Sequence, residues 1–149
     1  MCCGSGKSLI KWLHYEQKKM DDLNYVLSVI TESELSIFSA EKVDYRILYD
    51  LLKEKGLEQY KHTIKLLRRK YYIVPILTQD QEDKVIQIFD ELAKKSSINM
   101  CAHYSFILSK CLELIGEPIL SQEFIKLVPT RSTMKIQSNE LRWIRFCNT

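Results

Sequence analysis

The chain has 149 residues, enough for one ordinary domain, and 46% of them are apolar against 28% charged, a balance that excludes a disordered chain. With 22 basic and 19 acidic residues the net charge is +3, too small an excess to hold bare phosphate backbone by charge alone. No apolar run approaches the ~20 residues of a membrane helix, so no membrane partner is expected.

Gly (4) and Pro (3) are both scarce. Strand-rich folds need these residues at their many turns, so the scarcity favours helices joined by short connections. The reading is an all-α protein, a compact bundle of about seven or eight helices, with residues 1–8 a flexible N-terminal remnant and 9–149 a single helical domain. Five cysteines, Cys2, Cys3, Cys101, Cys111 and Cys147, show no regular spacing. With no secretory signal they read as free thiols in a reducing compartment.

The first helix runs from about Lys7 to Met20, with Leu9, Trp12, Leu13 and Met20 on one face. A second follows Asp21 and Asp22, whose carboxylates suit free backbone N–H groups, and carries Leu23, Val26, Leu27 and Ile30. A third, about Ala40 to Lys55 behind a Ser39 cap, carries Val43, Ile47, Leu48, Leu51 and Leu52, and stops at Gly56. A fourth, about Glu58 to Tyr71, aligns Tyr60, Ile64, Leu67 and Tyr71. Pro75 forces the stretch Ile73–Leu77 into an extended connector, with room for a β-bridge.

Thr78-Gln79-Asp80-Gln81 is a capping box, the clearest helix start in the chain. The fifth helix runs from there to about Lys95 through Val85, Ile88, Phe89 and Leu92. The sixth, near 102–115, is apolar on nearly every side, which marks it as the central buried helix. Gly116 ends it and Pro118 forbids its continuation. A short helix at Gln122–Leu127 and a last one from a Ser132 cap to about Cys147 complete the chain. The apolar face of the last is read as Ile136, Leu141, Ile144 and Phe146, with Trp143 nearby.

Candidate chemistry is sparse. Gly4-Ser5-Gly6-Lys7-Ser8 matches the tail of a phosphate-binding loop, but neither the first glycine of that motif nor its strand stands ahead of it, so it reads as a flexible start. Adjacent Cys2 and Cys3 are too close together for a zinc pair, and Cys101 with His103 lacks a third ligand at metal spacing, so no metal site is expected. His14, His62 and His103 stand without a nucleophile or acid at motif spacing and read as surface or capping residues. Nothing marks an enzyme or a small-molecule site. Lys61, Lys65, Arg68, Arg69 and Lys70 fall within ten residues beside Tyr71 and Tyr72, and Arg131, Lys135, Arg142 and Arg145 form a second strip. Both are candidate nucleic-acid contacts, weighed against the plainer reading of solvated helix faces.

The segment Tyr104-Ser105-Phe106-Ile107-Leu108-Ser109-Lys110-Cys111 resembles the Tyr-Ser-Tyr-Val-Leu-His-Lys helix of the late transcription factor 3 family of poxviruses and other large DNA viruses. Trp143 and Cys147 match the family's closing Trp-x-x-x-Cys, Ile10–Leu13 with Trp12 is similar to its Phe-Arg-Glu-Trp-Leu, and Gly56-Leu57-Glu58-Gln59-Tyr60 to its Leu-Gly-Leu-x-x-Tyr. The resemblance covers about residues 9–148, with family-motif residues Trp12, Tyr104, Phe106, Leu108, Lys110, Trp143 and Cys147. Ser109 stands where the family has histidine.

The resemblance implies a non-enzymatic factor for late-gene transcription in the host cytoplasm, in viral factories. Its partners would be the viral RNA polymerase or other late transcription factors, and promoter DNA. The alternative is a helical protein–protein adaptor with no nucleic-acid binding. The family has a zinc ribbon ahead of its helical region, and this chain begins after it, so no cofactor is expected here. A ribbon followed by helices is similar to the layout of the general initiation factor TFIIB, which by analogy alone suggests a cyclin-like bundle.

Overall fold

In a computed structural model the described residues are 4–30, 45–64, 74–128 and 133–148, and every regular element among them is a helix. They are α1 (Gly6–Val29), α2 (Tyr45–Glu54), a 3-10 segment (Glu58–Thr63), α3 (Gln79–Lys95), α4 (Tyr104–Leu114), α5 (Pro118–Ile125) and α6 (Thr133–Cys147). No strand or bridge occurs among the described residues; Val74–Leu77 is irregular. The chain divides into two compact units: Met1–Tyr15 with Val74–Thr149, and Glu16–Ile73.

The first unit is organised around α4. Ser105, Phe106, Ile107, Leu108, Ser109, Cys111 and Leu112 are all buried, so the helix is enclosed on every side over two turns. It packs against α5 and α3, and α3 packs in turn against α6. Phe89 of α3 stacks on Phe146 of α6 with ring centroids 5.6 Å apart. Between α4 and α5 the buried Ser109 hydroxyl donates to the Ser121 carbonyl at 2.8 Å and lies 2.9 Å from the Ser121 hydroxyl. Where the resembled family has an imidazole, a small hydroxyl here allows close approach of two helices without leaving a buried polar group unmet.

Helix boundaries follow local chemistry. The Thr78 hydroxyl accepts the Gln81 N–H at 3.1 Å, and the Gln81 side chain accepts the Thr78 N–H at 2.9 Å, completing the capping box. The His103 ring caps α4 by accepting the Ser105 N–H at 3.2 Å. Gly116, at φ +85°, ends α4 while the Glu117 N–H reaches back to the Leu112 carbonyl at 2.8 Å. Pro118 then opens α5, four residues ahead of the start read from the sequence, because proline is at home in a first helical turn. Gly56, at φ +73°, closes the turn after α2 in the same way.

The two helices read over 7–30 are one. Leu9, Leu13, Leu23, Val26 and Ile30 are buried along a single stripe, and no Gly or Pro interrupts it between Lys7 and Val29. Asp22 caps nothing; its carboxylate meets His62 Nε2 at 2.9 Å. α1 also begins at Gly6, within the stretch read as flexible, and the Gly6 N–H donates to the Asp90 carboxylate at 2.7 Å.

In the second unit Val26, Ile30, Leu48, Leu52, Leu57 and Ile64 form a core, with Tyr49 and Tyr60 packed against it. Ile47, read as part of the inner stripe, is exposed. Over Glu58–Thr63 the helix read from Glu58 is a 3-10 segment, non-helical at Tyr60, where the Thr63 hydroxyl donates to the Tyr60 carbonyl at 2.7 Å and competes with the α-helical ladder, and Ile64 after it is α-helical. The Ser39 cap and the proposed helical residues 40–44 and 65–71 lie outside the described residues, as does the Ser132 cap.

The close approach of α1 to α3 tests this packing. A β-carbon on Gly6 would sit 2.5 Å from the Ile86 Cα and 2.7 Å from its carbonyl oxygen, both backbone atoms that cannot rotate away. Gly6→Ala should therefore lower stability by about 1–3 kcal/mol in chemical denaturation, even though alanine is the better helix former. An unchanged or raised midpoint would contradict this contact.

Candidate functional site

α6 turns two different faces to its surroundings. Trp143 (7% exposed) and Phe146 (2%) are buried, while Leu141 (57%) and Ile144 (51%) face outward. This reverses part of the reading from sequence, in which Leu141 and Ile144 belonged to the inner face. The aromatic pair, with ring centroids 5.5 Å apart, carries more apolar area than the aliphatic pair and sets the helix orientation.

Beside the outer face runs a groove of about 400 Å³. Ser138, Leu141, Arg142 and Arg145, at one-turn and two-turn spacing on α6, form one wall; Ile98, Asn99 and Cys101 form the other. The second wall is shaped locally: the Ser96 hydroxyl donates to the Ile98 carbonyl at 3.0 Å and accepts the Ile98 N–H at 3.2 Å. The Arg142 guanidinium crosses the groove and donates through Nη1 to the Cys101 carbonyl at 2.8 Å. Among the described residues that line the groove, the charged side chains are Arg142 and Arg145.

On the inward side of α6 lies a second cluster. Lys110 of α4, largely buried, places Nζ 2.7 Å from Glu140 and 3.9 Å from Glu113. The same ammonium sits 5.5 Å from the centre of the Phe106 ring. Burial pushes the Cys147 thiol above its ordinary range, and the Lys110 charge partly offsets that rise. Two other family-motif residues, Phe106 and Cys147, thus share the influence of the ion-paired Lys110, itself a motif residue, while Leu108 is fully buried in the same helix as Lys110. Trp12 packs near His103 and Tyr104, with centroids at 5.6 and 5.8 Å. All of these residues lie in the first unit.

Of the basic candidates, the structure joins Arg142 and Arg145 at the groove. Lys61 is exposed on the 3-10 segment of the other unit. Lys135 lies on α6, but its side chain is outside the described set, and Lys65, Arg68, Arg69, Lys70 and Arg131 lie outside the described residues. Each histidine has a partner: His103 its own helix start, His62 the Asp22 carboxylate, and His14 the buried Glu82 carboxylate, 68 positions away. Among the described residues no three His, Cys, Asp or Glu side chains converge as a metal site would require. Cys111 and Cys147 are free thiols, as read from the sequence, but Cys101 is disulfide-bonded. Cysteine spacing gave no sign of that bond, because the fold decides which sulfurs meet.

Sequence reasoning missed the groove itself. Asn99 and Ser138 carry no motif, and the walls are some forty positions apart along the chain. The one available signal was Leu141 and Ile144 sharing a helix with Arg142 and Arg145, apolar and cationic side chains interleaved.

No helix among the described residues is long and apolar enough to cross a membrane. A family model described as "Poxvirus Late Transcription Factor VLTF3 like" matches residues 7–149. No curated protein and no solved structure matches the chain.

The Lys110–Cys147 coupling has a chemical consequence. Replacing Lys110 with Met removes the positive charge that favours the thiolate, so the Cys147 pKa should rise further and its alkylation should slow at a fixed mildly alkaline pH. Site-resolved iodoacetamide labelling across a pH series checks this. The expected result is a profile displaced to higher pH for Cys147 alone, and an unmoved profile would separate the two groups.

Proposed function

The chain belongs to the poxvirus late transcription factor VLTF3-like family, and from that membership we propose that it serves viral late-gene transcription as a non-enzymatic binding domain whose contact surface is the outer face of α6. The proposed setting is the host cytoplasm, and the proposed partners are the viral RNA polymerase or other late transcription factors.

The observation that carries this reading is the division of α6. A helix with one face fully used in a core and large aliphatic side chains still outward has apolar surface for a partner to cover. Arg142 and Arg145 beside Leu141 and Ile144 supply the arginine-and-apolar mixture found at the centres of protein interfaces.

A second reading is promoter DNA contact. It is favoured by two arginines one turn apart, which suit phosphate oxygens, with Lys61, Lys65, Arg68, Arg69, Lys70, Arg131 and Lys135 as further candidates. The two readings separate on salt. Retention of viral RNA polymerase by immobilised chain, and late-promoter transcript yield, should both fall by about ten-fold in Leu141→Ser/Ile144→Ser, since two central contacts together are worth at least ~1.4 kcal/mol. The helical circular-dichroism signal should stay unchanged, because both side chains are exposed. For the DNA reading, Arg142→Ala/Arg145→Ala should flatten the salt dependence of promoter retention between about 50 and 200 mM. Wild-type polymerase retention by the Leu141/Ile144 variant would overturn the α6 reading.

A further inference from the structure

We infer that the Cys2-Cys3 pair supplies the second sulfur of the Cys101 disulfide, and that this bond is a reversible redox staple on the wall of the groove beside α6, opened and closed by thiol–disulfide exchange.

The partner follows by elimination. The chain has five cysteines. Cys101 is disulfide-bonded, whereas Cys111 and Cys147 are thiols, which leaves Cys2 and Cys3 as sources of the other sulfur. Their place in the chain agrees, because they belong to the same compact unit as Cys101. α1 begins at Gly6, whose N–H donates to the Asp90 carboxylate at 2.7 Å, and it carries Trp12 against His103 and Tyr104, with ring centroids at 5.6 and 5.8 Å. The start of α1 is thereby held beside the segment that follows Cys101. Three residues of extended chain ahead of Gly6 span about 10 Å, a reach that brings either cysteine to the Cα separation of roughly 4–7 Å that a disulfide needs.

Three sulfurs and one bond leave one thiol, and it stands next to the bonded cysteine in the chain. Its thiolate attacks the Cys101 sulfur: a new S–S bond forms, the old one breaks, and the displaced cysteine leaves as a thiolate that takes a proton from water. No electrons are gained or lost in that step. Opening uses a reductant of the glutathione class. Two glutathione thiols give up two electrons and two protons and become glutathione disulfide, while Cys101 and its partner become thiols; closing is the reverse. In the reducing setting proposed for this chain, a disulfide is characteristically transient or redox-sensing. Cys101 also ties the bond to the groove, since it lines the wall and its carbonyl accepts from Arg142 Nη1 at 2.8 Å. Closing the staple steadies that wall, and opening it releases the wall.

The test equilibrates the full chain in glutathione buffers of graded ratio, quenches in acid, alkylates, and maps the disulfides by mass spectrometry. With glutathione disulfide in excess, Cys101 should be joined to Cys2 or Cys3. Cys2→Ser and Cys3→Ser should each leave it joined to the cysteine that remains. The double variant Cys2→Ser/Cys3→Ser should leave it as a thiol or a glutathione adduct. Because the bond closes a long loop, the oxidised chain should melt about 5–10 °C above the reduced one, a gap that vanishes in the double variant. Amide hydrogen exchange across 98–103 should be faster in the reduced chain. Cys101 joined to Cys111, to Cys147 or to a second copy of the chain overturns the inference, as does equal exchange of 98–103 in both forms. A bond that stays closed in about a hundred-fold excess of reduced glutathione overturns its reversibility.

Discussion

The first unit depends on the enclosure of α4. From Ser105 to Ser109 five consecutive residues are buried, which no amphipathic surface helix permits, because consecutive positions point in directions about a hundred degrees apart. Such a helix is stable only if neighbours cover it all round. α3 and α5 lie directly against it, and the closeness of α5 follows from the serine pair, Ser109 and Ser121, which satisfies its polar atoms internally. Each fully buried Phe or Leu in this arrangement contributes roughly 1.5–3 kcal/mol relative to exposure, so the apolar sequence of α4 and the requirement for its neighbours are one fact seen twice.

The placement of α6 follows from that enclosure, and the outward face follows from the placement. Phe146 stacks on Phe89 of α3, and Trp143 lies beside Phe146, so the aromatic side of α6 is committed to the interior. Lys110 adds a polar tie to Glu140 on the same helix. With the inward side fixed, Leu141, Arg142, Ile144 and Arg145 are left outside together. An apolar and cationic surface held on a helix whose other face is packed loses little order when a partner binds, which is how the core constraint bears on the role proposed for α6.

Much of this was legible in the residues, and the failures have physical causes. The capping box at Thr78, the glycine stops at Gly56 and Gly116 and the all-round apolar run of α4 are local signals, and local hydrogen bonding and φ preferences realise them. Asp22 misled because a carboxylate suits a helix start and also suits a partner across space, and His62 supplies that partner. Pro118 was read as a stop when it is also a favourable first residue. The inner face of α6 was misassigned because periodicity counts apolar positions without weighing their area, and two aromatics outweigh two aliphatics. The groove was invisible because Cys101 and Arg142 meet only in the folded chain, 41 positions apart. The family resemblance, resting on ordered motifs along nearly the whole chain, came through, and three of its motif residues, Phe106, Leu108 and Trp143, are buried in the first unit.

The account comes down to which side of α6 meets the outside world, and side-chain footprinting reads this directly. Hydroxyl-radical labelling resolved by residue should modify Leu141 and Ile144 strongly in the isolated chain and spare Phe146, despite the greater intrinsic reactivity of an aromatic ring. On addition of viral RNA polymerase, Leu141 and Ile144 should become shielded while Phe146 stays as it was. Strong labelling of Phe146 in the isolated chain, or Leu141 and Ile144 equally labelled with and without polymerase, would contradict it.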